Sequence, residues 1–348
     1  MAKVTLADVA RAAGVGIATA SRALAVRKHR DVSDTTRAAV RQVADELGYR
    51  PSVAARAFRS RDFHAVSILV PEGLWGWWEP AVRAADAAAR EQGYLAFVQP
   101  VLARPGQGGD AAHLIARLVD VPTEGVLIFG SAGDRGMVAA AESLRLPVVA
   151  IDSLSHDVMV PTFAVDSQAG MEQATQHLLD RGRRHIAYVG SAGDAHYQRL
   201  RVAGYRSALA SAGLPPEVRM IVRDEAALDR GAPLHPPFDA LVASGVRLDA
   251  VVCETDSAVP GVFRSLRRRG RRVPEDVAVV GFDDADVAVA LDPPLTTVRQ
   301  PYERLGGLAI ETLIRDIEGG HTPVGRVLIE PTLTVRDSSG ARPTTNSR

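Results

Sequence analysis

Three aspartates and one arginine of this 348-residue chain stand at or near the ends of short β-branched runs. Asp152 follows residues 148–151, Asp256 follows 250–253, Asp283 follows 277–280, and Arg201 lies in Arg199-Leu-Arg-Val-Ala-Gly-Tyr205. Carboxylates accept hydrogen bonds and a guanidinium donates them from a rigid fork, so this set could hold a small molecule by a polar rim. All three tryptophans, Trp75, Trp77 and Trp78, fall within four residues after the run 66–70. One tryptophan is a core residue by default. Three crowded at one strand exit offer a platform on which a ring could stack, with Trp77 and Trp78 as its expected members. This is the chemistry of binding, because the chain has no G-x-S-x-G elbow, Walker loop, dinucleotide fingerprint or placed nucleophile. Its nine histidines form no H-x-x-x-H or H-E-x-x-H pair and its only cysteine is Cys253. No metal site and no cofactor are therefore expected, and an enzyme is not expected either.

The elements that must position these residues follow from hydrophobic periodicity. Apolar runs at 66–70, 96–98, 125–129, 148–151, 186–189, 250–253 and 277–280 alternate with Ala-rich helical stretches. That alternation predicts parallel sheets with helices on both faces, and in such sheets ligands bind beyond the carboxyl ends of the strands. Gly130-Ser-Ala-Gly-Asp134 and Gly190-Ser-Ala-Gly-Asp194 each follow a strand, an internal echo that supports two such units. Both read as strand-to-helix loops, since their spacing is not that of a phosphate-binding fingerprint.

The first sixty residues read differently. Thr5-Leu-Ala-Asp8 has the form of a capping box, a short helix follows with Leu6, Val9, Ala10 and Ala13 inward, and Gly14 supplies a sharp turn. A second helix runs from about Gly16 to Leu24, and Ser33 caps a third that Gly48 stops. Two short helices joined through a glycine turn form a helix-turn-helix, whose second helix is sized for a major groove. Charge agrees. Residues 1–61 hold twelve Lys/Arg against five acids, a net +7, so the remainder of this neutral chain carries −7. A small basic module joined to a large acidic one is the footprint of a nucleic-acid reader attached to something else.

The stretches Thr5-Leu-Ala-Asp-Val-Ala-Arg-Ala-Ala-Gly-Val, Thr19-Ala-Ser-Arg22, Val32-Ser-Asp-Thr-Thr-Arg37 and Leu47-Gly-Tyr-Arg-Pro51 closely resemble the N-terminal domain of the lactose-repressor/galactose-repressor family. Further on, Asp166-x-x-x-Gly170, His177-Leu-Leu-x-x-Gly182, Val273-Pro-Glu-Asp-Val-Ala-Val-Val-Gly-Phe-Asp-Asp284 and Pro293-Pro-Leu-Thr-Thr-Val-Arg-Gln-Pro301 carry the similarity to about residue 340. The resemblance implies a DNA-binding domain over 1–50, a hinge helix over 51–61, two doubly wound α/β lobes over 62–340 like those of a periplasmic sugar-binding protein, and a tail at 341–348. It implies a homodimer on double-stranded operator DNA, with Ile17, Ala18 and Arg22 at base edges. Thr5, Thr19 and Ser21 would lie nearer the backbone, while the hinge residues Ala55 and Phe58 would reach the minor groove. Phe58 is then a wedge between base steps or a core contact. In the longer loop Ala25-Val-Arg-Lys-His-Arg-Asp31, basic residues such as Lys28 touch phosphate or sit in solvent. Carried over by position, Trp77, Trp78, Asp152, Arg201, Asp256 and Asp283 line an effector cleft. Thr255 stands where an asparagine is usual and Gly16 where a serine cap is usual. A sugar or sugar derivative suits the aromatic and carboxylate set, and a purine is the competitor.

No run approaches the ~20 apolar residues of a membrane span, and the N-terminus lacks a signal-peptide core, so a cytoplasmic regulator is expected in place of a secreted transport protein. Arg267-Arg-Arg-Gly-Arg-Arg272 reads either as a helix C-terminus with cations on its dipole or as a second basic patch.

Overall fold

A computed structural model describes residues 4–340 apart from 25–30, 50–62, 72–74, 102–117, 119–120, 131–133, 153–159, 194, 215–219 and 225–235. The N-terminal module is built on the expected signals. The Asp8 amide donates to Thr5 Oγ1 at 3.3 Å and the Thr5 amide to the Asp8 carboxylate at 3.0 Å, which opens helix α1, Leu6–Ala12. Gly14 turns the chain at φ 68°, in the left-handed region that glycine enters without a Cβ penalty. Helix α2, Ile17–Ala23, starts at Gly16 with no side-chain cap, and α3, Asp34–Glu46, starts under Ser33, whose Oγ accepts from the Thr36 amide at 3.1 Å. Val9, Ala10, Ala20, Ala23, Val40 and Ala44 are the small core of this module. A buried Arg37 fixes the second helix to the third by donating from Nη1 to the Arg22 and Ala23 carbonyls, each at 3.3 Å. Those carbonyls belong to the last turn of the helix, where carbonyls run out of helical donors, so the cation serves as a cap from outside.

From Ala65 on, two six-stranded sheets alternate with helices. The first has the order β11-β5-β4-β3-β1-β2 and is parallel throughout. Its strands are β1 Ala65–Pro71, β2 Leu95–Val101, β3 Val126–Phe129, β4 Val148–Ile151, β5 Thr162–Val165 and β11 Arg326–Ile329. The second has the order β12-β10-β9-β8-β6-β7, with β6 Ile186–Ser191, β7 Ile221–Asp224, β8 Ala250–Cys253, β9 Ala278–Asp283, β10 Thr296–Arg299 and an antiparallel edge β12 Thr332–Thr334. Fully apolar strands such as VLIF in β3 and AVVC in β8 are buried on both faces, which is why they read as continuous runs and not as alternation. Each large side chain fully buried here, among them Phe129, Tyr188 and Phe282, contributes about 1.5–3 kcal/mol of transfer energy.

The chain passes between the sheets three times: from β5 into helix Ser167–Asp180, from β10 into helix Tyr302–Ile317, and from β11 into β12. Each crossing leaves at the carboxyl end of a strand. The carboxyl ends of both sheets are thus tied to one boundary, and that is where Asp152, Asp256, Asp283 and the helix carrying Arg201 converge. Close helix pairing holds each lobe. A Cβ built on Gly204 would overlap the Gln168 carbonyl oxygen, and one on Gly306 would overlap that of Ala81, so glycine lets helix His196–Ser211 seat on Ser167–Asp180 and Tyr302–Ile317 seat on Trp75–Glu91. Expected strand positions hold, but five strands that the apolar runs did not mark (β5, β7, β10, β11 and β12) complete the sheets. The hinge segment 51–61 and the tail 341–348 lie outside the described residues.

Candidate functional site

On the N-terminal module the second helix presents Ile17, 50% exposed, together with exposed Ala18 and Arg22, while Ala20 and Ala23 face the core. Thr19 and Ser21 flank this face and are half-buried, and exposed Thr5 sits at the start of the first helix. The side chains named from sequence for base-edge contact therefore share one outward face of a short helix whose inner face is fully used. Arg22 is not idle: its Nη1 pairs with the carboxylate of Asp31, across the loop that follows the helix. Hydrogen bonds from Thr5 hold the Asp8 carboxyl below its ordinary range. Lys28, Ala55 and Phe58 lie outside the described residues.

At the lobe boundary the centre is Arg201, 4% exposed, in the second turn of helix His196–Ser211. Its Nη1 donates to the Glu254 carbonyl at 2.6 Å, its Nη2 lies 3.8 Å from Asp283 Oδ1, and its Nε has no hydrogen-bond partner. The guanidinium lies over the ring of Phe282, 3.7 Å from its centroid, and 5.0 Å from that of Tyr197. Burial works against the charge, but Asp283, Tyr302, Tyr197 and Glu254 outweigh it and leave the guanidinium's pKa raised. The cation is thus held charged beside apolar ring faces, where an attraction to π-density is worth most.

The acids around it differ in role. Asp152, with φ 48°, accepts from the Val165 amide at 2.9 Å, and burial pushes its carboxyl up to about 6 despite that bond and the nearby Arg201 and Arg326. Asp283, with φ 124°, accepts from Gln300 Nε2 at 2.5 Å and is likewise raised to about 6 by burial, against the pull of Arg201. Asp256 is fully buried and spends both oxygens on the protein: Thr297 Oγ1 donates to one at 2.7 Å and the Ala285 amide to the other at 2.9 Å. It knits the ends of β8, β9 and β10 together, and burial, then the charge of Asp283, holds its carboxyl well above the usual range. Asp152 and Asp283 stand on opposite sheets with Arg201 between, a set that can accept and donate to hydroxyl or amide groups from both lobes.

The tryptophans are placed differently from expectation. They do not lie in a strand-exit loop but in the first turn of helix Trp75–Glu91. Trp78 is 4% exposed and packs edge-on against Phe129, centroids 4.9 Å apart, and near Tyr302 at 6.4 Å. It is a core residue under the boundary, so the apolar face of its ring is already covered. The side chain of Trp77 lies outside the described residues. Glu254, unmarked by the sequence reading, is buried with three donors on its carboxylate: Tyr188 Oη at 2.9 Å, Ser191 Oγ at 2.7 Å and Gln198 Nε2 at 3.2 Å. Gly190 makes room for it, since a Cβ there would overlap Glu254 Oε2. Tyr197, raised to about 12 by burial and then by Glu254, completes the wall facing Arg201. An acid after an apolar run was the only signal for Glu254, and the partners that make it a strut come from two other elements, β6 and helix His196–Ser211. Among the described residues no group of His, Cys, Asp and Glu could hold a metal ion, and no helix is long and apolar enough to cross a membrane.

This geometry, a basic helix-turn-helix module ahead of two crossed-over α/β lobes, has close counterparts. Residues 5–52 match the model of bacterial regulatory proteins of the lacI family, and 175–339 match that of the periplasmic binding protein-like domain. Over 342 residues the chain is 30% identical to the ribose operon repressor of Escherichia coli K12, covering 96% of this chain and 99% of that one. It is 27% identical over 346 residues to the transcriptional repressor CytR of the same strain, with 97% of each covered. Among solved structures, the regulator CelR in complex with cellobiose aligns over 97% of this chain and all of that one at 30% identity and a TM-score of 0.68. The Lac repressor dimer bound to operator and an anti-inducer aligns over 98% of this chain and all of that one at TM-score 0.82 and 24% identity, which speaks for the fold. The chain belongs to the lacI family of bacterial regulatory proteins, and is a DNA-binding transcriptional regulator with a two-lobed effector-binding region.

Proposed function

We propose that this protein is a repressor that binds a near-palindromic operator as a two-fold dimer in the cytoplasm and is controlled by a sugar or sugar derivative held between its lobes. The reading divides the chain into an operator-reading domain over 1–50, a hinge over 51–61 and a regulatory region over 62–340. One recognition helix reads too few bases for a unique site, and closed two-fold pairing doubles the information. In the head, Ile17 and Ala18 offer apolar contact to thymine methyls and Arg22 bidentate donation to a guanine, with Thr5, Thr19, Ser21 and Lys28 on the backbone and Ala55 and Phe58 at the central step.

The observation that carries the effector assignment is Arg201: a buried guanidinium with one unused donor, two nearby acids from opposite lobes, and two aromatic rings close to it. A pyranose or furanose ring has C–H faces for aromatic side chains and hydroxyls for Arg201, Asp152 and Asp283. Trp78 is in the core, so the stacking role passes to Tyr197, with Trp77 retained as a candidate from its place in the sequence alone. Relatives point the same way: the solved structures include a regulator with cellobiose and an Enterococcus faecium family member with bound ribose. Closing the lobes on such a ligand changes operator affinity to the extent that it favours one lobe arrangement. Thermal-shift screening of the full chain against pentoses, hexoses, disaccharides, nucleosides and purine bases tests the ligand class. A tight binder raises the melting temperature by mass action, and a response confined to purine bases would reject the sugar reading.

A further inference from the structure

Arg22 is the one base-reading candidate on the second helix that carries charge, and in the protein free of DNA it is not directed at solvent alone. Its guanidinium Nη1 engages the carboxylate of Asp31, and about half of each side chain remains exposed. The pair is not needed to hold the helix in place, because Arg37 already clamps the Arg22 and Ala23 carbonyls from the core side. Nor is Asp31 required as a cap for the third helix, where Ser33 accepts from the Thr36 amide. Asp31 is therefore an acid in a module of net positive charge that must approach a polyanion, paired with the side chain that would read sequence.

We propose that Asp31 is a specificity-determining residue of the DNA interface, which positions Arg22 for a guanine and keeps it off phosphate. This rests on the reading of Arg22 as a base contact. An arginine fork has five donors, so with Nη1 turned to Asp31 a second edge is left for the paired O6 and N7 acceptors of guanine. A long flexible side chain is thereby held in one direction before contact, which lowers the entropy lost on binding. The second effect is electrostatic. A lone guanidinium is drawn to any phosphate, whereas one beside a carboxylate has little net charge to attract a backbone, yet retains its directional hydrogen bonds. Asp31 in this role lowers affinity for DNA in general and raises discrimination at one base pair in each half-site.

The test measures the full-length protein on its selected operator, on operators changed at each base pair, and on unrelated duplex, across a range of salt. Asp31→Asn retains the shape and an acceptor but removes the charge. Expected are tighter binding to unrelated duplex by several-fold, a salt slope steeper by about one per protomer, and discrimination at the guanine reduced about tenfold. Arg22→Ala should erase the same discrimination, and Asp31→Asn added to it should change discrimination no further. If Arg22→Ala relaxes preference at a base pair while Asp31→Asn alters neither discrimination nor salt slope, the role of Asp31 is overturned and the reading of Arg22 stands. If Arg22→Ala weakens all sequences alike, the reading of Arg22 itself fails. If Asp31→Asn weakens every duplex equally and lowers the melting temperature, Asp31 is a structural residue and the proposal is overturned.

Discussion

Arg22 and Arg201 put the same guanidinium into opposite surroundings. Arg22 stands on a preformed helix with its side chain 46% exposed and one acid beside it, whereas Arg201 is 4% exposed, lies over Phe282, and is neighboured by acids from separate strands. In water an ion pair such as that of Arg22 contributes about 0–1 kcal/mol, so the arginine can exchange partners cheaply, as the proposed base contact requires. At the lobe boundary the charges are desolvated, and every group left without a partner is costly. The head therefore carries its charge at the surface, and the lobe boundary holds a fixed arrangement of a few buried groups.

The largest contrast is in salt. A tenfold rise in salt should weaken operator binding by roughly several orders of magnitude, because phosphate contacts release counterions, while the affinity of a neutral sugar for the cleft should change less than about threefold. Anisotropy titrations of DNA and calorimetric titrations of the sugar over the same salt range check both; equal salt dependence would erase the distinction.

Next comes stability. Arg201→Met removes the partner of Asp283 and should destabilise the regulatory region by about 3–5 kcal/mol, whereas Arg22→Met should change stability by less than about 0.5 kcal/mol. Urea unfolding of the two variants against the parent measures the difference. A small loss at Arg201 would mean that the acids around it are already at ease without it.

A smaller effect concerns pH. Asp152 has a folded-state pKa near 6, above its unfolded value, so the native state favours its protonated form. Its cost to the fold is present above about pH 6 and is relieved as pH falls toward 4. Asp152→Asn keeps the acceptor for the Val165 amide, and should stabilise the protein by about 1–2 kcal/mol at pH 7.5 with the gain closing by about pH 4.5. His177, lowered to about 4 by burial and by Arg181, acts in the opposite sense over the same window, so the comparison is between variants at each pH and not between pH values for the parent.

The same contrast explains what could be read before the fold was known. The head is encoded locally: cap, glycine turn, helix and second cap lie in order over fifty residues, and the exposed face of the second helix follows from its spacing. The pairing of Arg22 with Asp31 was out of reach, because it spans a loop with no periodicity. At the lobe boundary, strand ends marked Asp152 and Asp283, which stand at the carboxyl ends of β4 and β9. They could not show that Asp256, equally an acid after a strand, turns inward to Thr297 and Ala285. Nor could they reveal Glu254, whose donors come from the paired strand β6 and from helix His196–Ser211, or Trp78, which extends the core because its strand exit is already helix. The unmarked strands fail for a related reason: β10 reads TTVR and β11 is an exposed edge, so neither has the apolar run of a central strand.

Control of DNA binding by the cleft is tested most directly by operator affinity with and without the sugar found in the screen, in the parent and in Asp283→Asn. Asp283 lies at the boundary and outside the head, so the variant should bind operator without sugar within about twofold of the parent, while the tenfold or greater sugar-dependent change of the parent, typical of such coupling, is lost. A variant that retains the full response to sugar, or a parent with no preference for any operator over unrelated duplex, would contradict the account.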